Sequence, residues 1–302
     1  MNYGRAFCSL FMVVAVGCSR NEKKQESTTA GTSSLLVTNE YAEILKAEVE
    51  KFTAVYPGVK LTISGTTTRE SIVALLNEQI RTACVDRPMN AEERTVAANA
   101  NLTVAGTVIG YDALAIVVNP ANAVEHMSHA TLRKIVWGET TSWNDVPGSN
   151  LRSEIDLVLT GKNSGTYELL RDRFFVTTRE LAATHRTQSS QQSVEYVNTQ
   201  SDAMSIVPLT VKPMSSAGLR VVALEPDSGW TETPFVLPAQ MAVYQKAYPL
   251  RYEILFLNAE KRLGVGAGLG SFILTTAGQR IVQNAGLVPA HIPYNAIQLT
   301  SE

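Results

Sequence analysis

Four times along the chain, a short β-prone run ends in a turn of Ser, Thr, Asn, Gly or Asp, and the next segment shows helical character. The turns are Thr38-Asn39, Gly65-Thr66-Thr67-Thr68, Asp86-Arg87 and Ser164-Gly165-Thr166. Strands alternating with helices predict an α/β fold with parallel pairing. Residues 34–38 (SLLVT) read as a strand. Tyr41, Ile44, Leu45, Val49, Phe52, Val55 and Tyr56 follow at helical spacing until Pro57-Gly58 stops them. Residues 59–63 alternate like a strand, and Thr67 with Glu70 has the capping-box spacing that starts a helix. Strands are expected over 82–85, 103–109, 113–118 and 155–160, and near 204–208, 219–223 and 250–257. Helices are expected from Ser128 to Val136, from the Ser164 turn through Phe175, near 190–199, and within 266–285.

These turns carry the chemistry. A helix start exposes unpaired backbone N–H groups and a partial positive charge. Hydroxyls beside it add donors, so such a turn suits an oxyanion. In open α/β sheets the turns gather at the carboxyl ends of the strands, where ligands bind. One Ser or Thr cap means little, because these are ordinary N-cap residues; four turns together predict one shared site.

The N-terminus predicts a destination. Arg5 precedes the apolar run CSLFMVVAV at 8–16, and Gly17-Cys18 follows. A basic start, a short apolar core and a small residue read as a secretory signal over 1–17. Gly17-Cys18 resembles a bacterial lipobox, with Ala15 at the position usually held by Leu. That resemblance implies acyl chains on Cys18 and stable membrane anchoring. Residues 18–33, polar up to Ser33, are expected to form a flexible tether. Localisation would be periplasmic or at the cell surface. Cys84 is then the lone cysteine of the folded part, in an apolar run where a small buried side chain is expected.

Composition removes other classes. With 26 Lys+Arg against 28 Asp+Glu the net charge is −2, which argues against nucleic-acid binding. His126 and His129 stand three apart without acidic or thiol partners, so no metal site is expected. No G-x-S-x-G elbow or Walker A motif occurs, and Ser164 lacks an identifiable base. The run Gly264–Gly270 imitates a dinucleotide loop but lacks a preceding buried strand and a later acidic residue. No cofactor and no enzymatic activity are expected.

The longest informative segment is 107–175, with TVIGYDALAIVVNP, LRKIVWGETTSWNDV and LVLTGKNSGTYELLRDRFF. Together with Ala83–Met89, Ser201–Val207, Thr276–Arg280 and Gly286–Pro289, it resembles the phosphate-binding protein family of phosphate ABC importers. The resemblance spans about residues 34–290. It implies a type II periplasmic-binding-protein fold: two lobes, each with a mixed, mostly parallel sheet, joined by two crossover strands. Lobe I would hold 34–112 and 246–302, and lobe II 113–245. Ser164, Gly165 and Thr166 match the family's phosphate-cradling turn. Asp86 matches its carboxylate that accepts a hydrogen bond from protonated phosphate. Thr67 or Thr68 stands near the serine of the second turn, and Thr38 or Asn39 stands in the first. Thr160 occupies the usual arginine position, so the cationic contact is Lys162, Arg87 or absent. The resemblance implies a monomer that captures inorganic phosphate and delivers it to an ABC permease. Its rivals are a receptor for another oxyanion, a phosphate sensor without transport, and an extracytoplasmic phosphate-ester hydrolase.

Overall fold

The computed structural model describes residues 26–174, 180–211, 218–226 and 234–291. Cys18, the signal segment, the tether as far as residue 25 and Phe175 lie outside them. Three parallel strands start the fold: β1 (Ala30–Thr38) lies between β2 (Gly58–Thr66) and β3 (Thr82–Val85). α1 (Ala42–Val55) and α2 (Thr68–Leu76) connect them, and α3 (Ala91–Asn99) follows β3. The capping box predicted at Thr67 and Glu70 is present in both directions.

β1 begins at Ala30, so the last four residues assigned to the tether are strand instead. Ala30–Ser33 pair with Gly58–Leu61. Backbone pairing needs no apolar side chains, and a run chosen by hydrophobicity misses it. The expected break between 109 and 113 is also absent. β4 runs unbroken from Ala105 to Val118. Up to Ala113 it pairs antiparallel with β10 (Arg251–Asn258), and from Leu114 it pairs antiparallel with β8 (Ala203–Pro208). Gly110-Tyr111-Asp112 reads as punctuation in sequence, yet in the fold it is where one strand leaves the first sheet for the second. The chain returns alongside, with Leu114 N donating to Leu250 O at 2.9 Å.

The second sheet continues from β8 to β6 (Asp156–Thr160) and β7 (His185–Thr187), all parallel. β5 (His126–Met127) and β9 (Arg220–Leu224) lie on its other side, and β11 (Val288–Pro289) edges the first sheet. α4 (His129–Trp137), α5 (Gly165–Phe174) and α6 (Ser190–Thr199) belong to this half. Ser128 caps α4, and Gly138 ends it in the left-handed region at φ 73°. α7 (Gln240–Tyr244) packs beside β4 and β11, and α8 (Val265–Ile273) and α9 (Thr276–Asn284) belong to the first half. The result is a two-domain α/β fold with mixed, mostly parallel sheets. Trp143 is fully buried in the second half, its indole donating to Asp202 O at 2.7 Å. No helix among the described residues is long and apolar enough to cross a membrane.

Candidate oxyanion site

Parallel pairing aligns the carboxyl ends of β1, β2 and β3, with Val37 opposite both Gly65 and Cys84. Their turns therefore meet. Thr38, Thr68 and Asp86 are 2%, 0% and 1% exposed. The Thr68 hydroxyl donates to Asp86 Oδ1 at 2.5 Å and lies 2.8 Å from the Thr38 hydroxyl. Each hydroxyl has one proton. The single Thr38 proton has two acceptors within reach, the Thr68 hydroxyl at 2.8 Å and Cys84 O at 3.4 Å.

Across the gap between the two halves, Gly165 opens α5 directly against Asp86. A Cβ on Gly165 would lie 1.7 Å from Asp86 Oδ1. Only glycine lets the carboxylate approach the helix start this closely. Ser164 accepts from Tyr167 N at 3.2 Å, and its hydroxyl lies 2.6 Å from that of Thr160 at the end of β6. Thr166 is buried in the first turn. Burial pushes the Asp86 carboxyl up to about 7; the Thr68 bond opposes this, and Glu40 repulsion adds to it.

The remaining sequence candidates sit differently. Arg87 is buried and tied to carboxylates. Its guanidinium holds Glu93 through Nη1 at 2.7 Å and Nη2 at 2.8 Å, and its Nε pairs with Glu168 of α5. Burial opposes charge on Arg87, but the two acids outweigh it and hold the group protonated. Burial likewise lifts the Glu93 carboxyl, but hydrogen bonds from Arg87 and from Asn90 N leave it below its ordinary value. Lys162 is exposed and paired with Glu180. Thr67 is the α2 cap, bound to Glu70. Asn39 is exposed, with its Oδ1 packed over Gly65.

Other contacts between the halves are invisible in the sequence. Arg69 reaches Glu168 at 3.6 Å, and its amide donates to Asn163 O at 3.2 Å. Ser190 donates to Glu40 at 2.8 Å. At the β4 crossing, Asp112 accepts from Thr210 at 2.8 Å on one side and from Tyr41 at 3.0 Å and Tyr252 at 3.2 Å on the other. Asn90 and Glu93 form a capping box whose three-residue spacing was a usable signal for α3.

The glycine run at 264–270 opens α8, and its amides are already taken. Glu260 accepts from Gly264 N, Gly266 N and Ala267 N at 3.2, 2.8 and 2.9 Å. A carboxylate of the chain itself occupies that helix start. No group of three metal-ligating side chains occurs among the described residues.

Similar architecture is found in solved proteins. A Clostridium perfringens protein solved with phosphate bound matches with a TM-score of 0.74 at 20% identity, over 86% of this chain and 100% of that one. An ABC-type phosphate transport receptor from Vibrio cholerae matches at 0.69 and 19% identity, over 86% and 100%. PstS from Borrelia burgdorferi matches at 0.57 and 18%, over 85% and 98%. Protein SphX of Synechococcus elongatus is 26% identical over 133 residues, which is 43% of this chain and 40% of that relative's length. The PBP superfamily domain matches residues 22–275, which take in the turns of both halves, the β4 crossing and the start of α5. By that match the chain belongs to the PBP (periplasmic-binding-protein) superfamily.

Proposed function

We propose that this chain is an extracytoplasmic solute receptor that holds inorganic phosphate between its lobes and passes it to an ABC permease. The supporting observation is the meeting of Thr38, Thr68 and Asp86 with the start of α5. Neutral hydroxyls and helix-start amides bind an anion without a free cation. That is consistent with Arg87 being committed to Glu93 and Glu168. With all of β1 included, lobe I would comprise 30–112 and 246–291, and lobe II 113–245, hinged where β4 and the returning chain cross. Phosphate enters when the lobes part. Closure then places Asp86, Thr38 and Thr68 on one side and Ser164, Gly165 and Thr166 on the other. Acylation of Cys18 would anchor the receptor at the membrane. The chain binds and releases its ligand unchanged.

Titration calorimetry of the purified chain with phosphate at neutral pH is the direct test. Submicromolar-to-micromolar binding is expected; no phosphate heat together with tight binding of another solute would reject the reading. Gly165→Ala provides a second check. Alanine suits a first helical turn, but its Cβ would lie 1.7 Å from Asp86 Oδ1 in the lobe-to-lobe contact of this structure. Phosphate affinity should fall at least tenfold, with circular dichroism showing a chain that is still folded.

A further inference from the structure

One polar bridge between the lobes stands apart from the cradle. Ser190 of lobe II donates its hydroxyl to Glu40 of lobe I at 2.8 Å, across 150 positions of sequence. Glu40 sits in the single turn Asn39–Tyr41 between β1 and α1, and Tyr41 fixes that turn by donating to Asp112. Ser190 is buried and is the first residue of α6, directly after the Ser189 cap. The carboxylate thus meets a helix start, where negative charge is favoured. Glu40 and Ser190 also share the wall of a cavity of about 530 Å³, with Ile44 and Ala47 of lobe I and Val211 of lobe II. Apolar side chains of the two lobes line open space there, and the hydrogen bond spans the cleft beside them. Arg69 and Arg87, which bridge to Glu168, adjoin Thr68 and Asp86 in sequence. Ser190 adjoins no residue of the cradle, so it can be changed without disturbing the anion's contacts.

The sign of the contact follows from hydration. With the lobes apart, water satisfies both groups. With them together, Ser190 is buried and its proton goes to Glu40. Removing the hydroxyl leaves the carboxylate without that donor in the closed form only, so the loss falls on closure. A bond made after the lobes meet slows their parting and leaves the entry of the anion unchanged. It also favours no anion over another, because it joins lobe to lobe. We propose that Glu40 and Ser190 form a clasp that sets how long the anion stays, without contacting it. The inference rests on the phosphate reading above and adds two positioning residues to it.

The test is a double-mutant cycle on the full chain, with Ser190→Ala, Glu40→Ala and the double variant, titrated with phosphate and with arsenate, whose longer bonds would expose any direct contact. Ser190→Ala keeps the Ser189 cap on Gln192 N and places a good helix former in α6. A hydrogen bond to a charged group is worth about tenfold in an equilibrium. Ser190→Ala should weaken both anions by about that factor, with the phosphate-to-arsenate ratio within twofold of wild type. Stopped-flow kinetics should place the loss in the dissociation rate. In the Glu40→Ala background the same substitution should cost less than twofold. Unchanged affinity in Ser190→Ala, an equal loss with Glu40 already removed, or a loss confined to the association rate overturns the clasp and leaves the phosphate reading intact. If neither anion binds the wild type, small-angle scattering of wild type and Ser190→Ala decides. A larger radius of gyration in the variant supports the clasp and overturns the phosphate reading alone, and superimposable curves overturn both.

Discussion

Asp86→Asn is expected to lower the phosphate-to-sulfate affinity ratio at least a hundredfold, read from paired calorimetric titrations at pH 8. Asp86 is buried, and its Oδ1 accepts the Thr68 proton. At pH 8 the carboxyl, pushed up to about 7, is mostly ionised. Phosphate brings a proton to share with it, whereas sulfate brings none. A sulfate in the closed cleft leaves two like charges facing each other without a hydrogen bond. An unsatisfied buried charged group costs about 3 kcal/mol or more, and each 1.4 kcal/mol is about tenfold in affinity. Asparagine keeps an acceptor for Thr68 and turns a donor toward the anion, which removes the penalty. The pH dependence provides an independent check. Sulfate does not titrate between pH 5.5 and 8, so any rise in wild-type sulfate affinity as pH falls through 7 reports a protonated Asp86 acting as donor. The variant should show no such rise. An unchanged ratio in Asp86→Asn would remove Asp86 from ligand selection.

What the sequence disclosed and what it withheld have a common physical origin. Local chemistry was legible: Thr67 and Glu70 make their capping box, Ser128 caps α4, and the turns after β1, β2 and β3 come together because parallel pairing aligns strand ends. Of the candidates, Thr38, Thr68, Asp86 and Gly165 meet at one place. The fate of the cations was not legible. Arg87 looks the same in sequence whether it faces a ligand or a carboxylate, and Glu168 reaches it from 81 residues away through the packing of one lobe on the other. Lys162 is likewise paired with Glu180, 18 residues further on. Strand ends were misjudged where the backbone carries the pairing: Ala30–Ser33 have little apolar pattern, and Gly110-Tyr111-Asp112 looks like a break. The link between lobes is built from Tyr41, Asp112, Thr210 and Tyr252, four positions that share no sequence neighbourhood.

Glu48→Leu is expected to stabilise the fold by about 3 kcal/mol at pH 9, and by much less at pH 5. The buried face of α1 consists of Leu45, Glu48, Val49 and Phe52. Glu48 is 0% exposed, and neither of its carboxylate oxygens has a hydrogen-bond partner among the described residues. An ionised carboxylate in that position is costly, and burial pushes its pKa up to about 8. In the unfolded chain the group titrates near its ordinary value of about 4.3. The folded state therefore binds the proton more tightly. Its penalty is absent below the unfolded pKa, grows as pH rises toward 8, and is constant above it. At 1.36 kcal/mol per unit the full span is about 5 kcal/mol, and relaxation around the charge brings this to about 3. Leucine occupies similar volume, suits a helix and has no charge to desolvate. The difference between variant and wild type isolates Glu48, because every other titrating group is common to both. Urea denaturation at pH 5, 7 and 9 should show the variant's advantage increasing with pH. For a chain of this size, 3 kcal/mol corresponds to about 6–12 °C in melting temperature at pH 9. An advantage that stays flat across the three pH values, or a loss of stability at pH 9, would mean that Glu48 is compensated in the fold and that its charge is not what α1 has to bury.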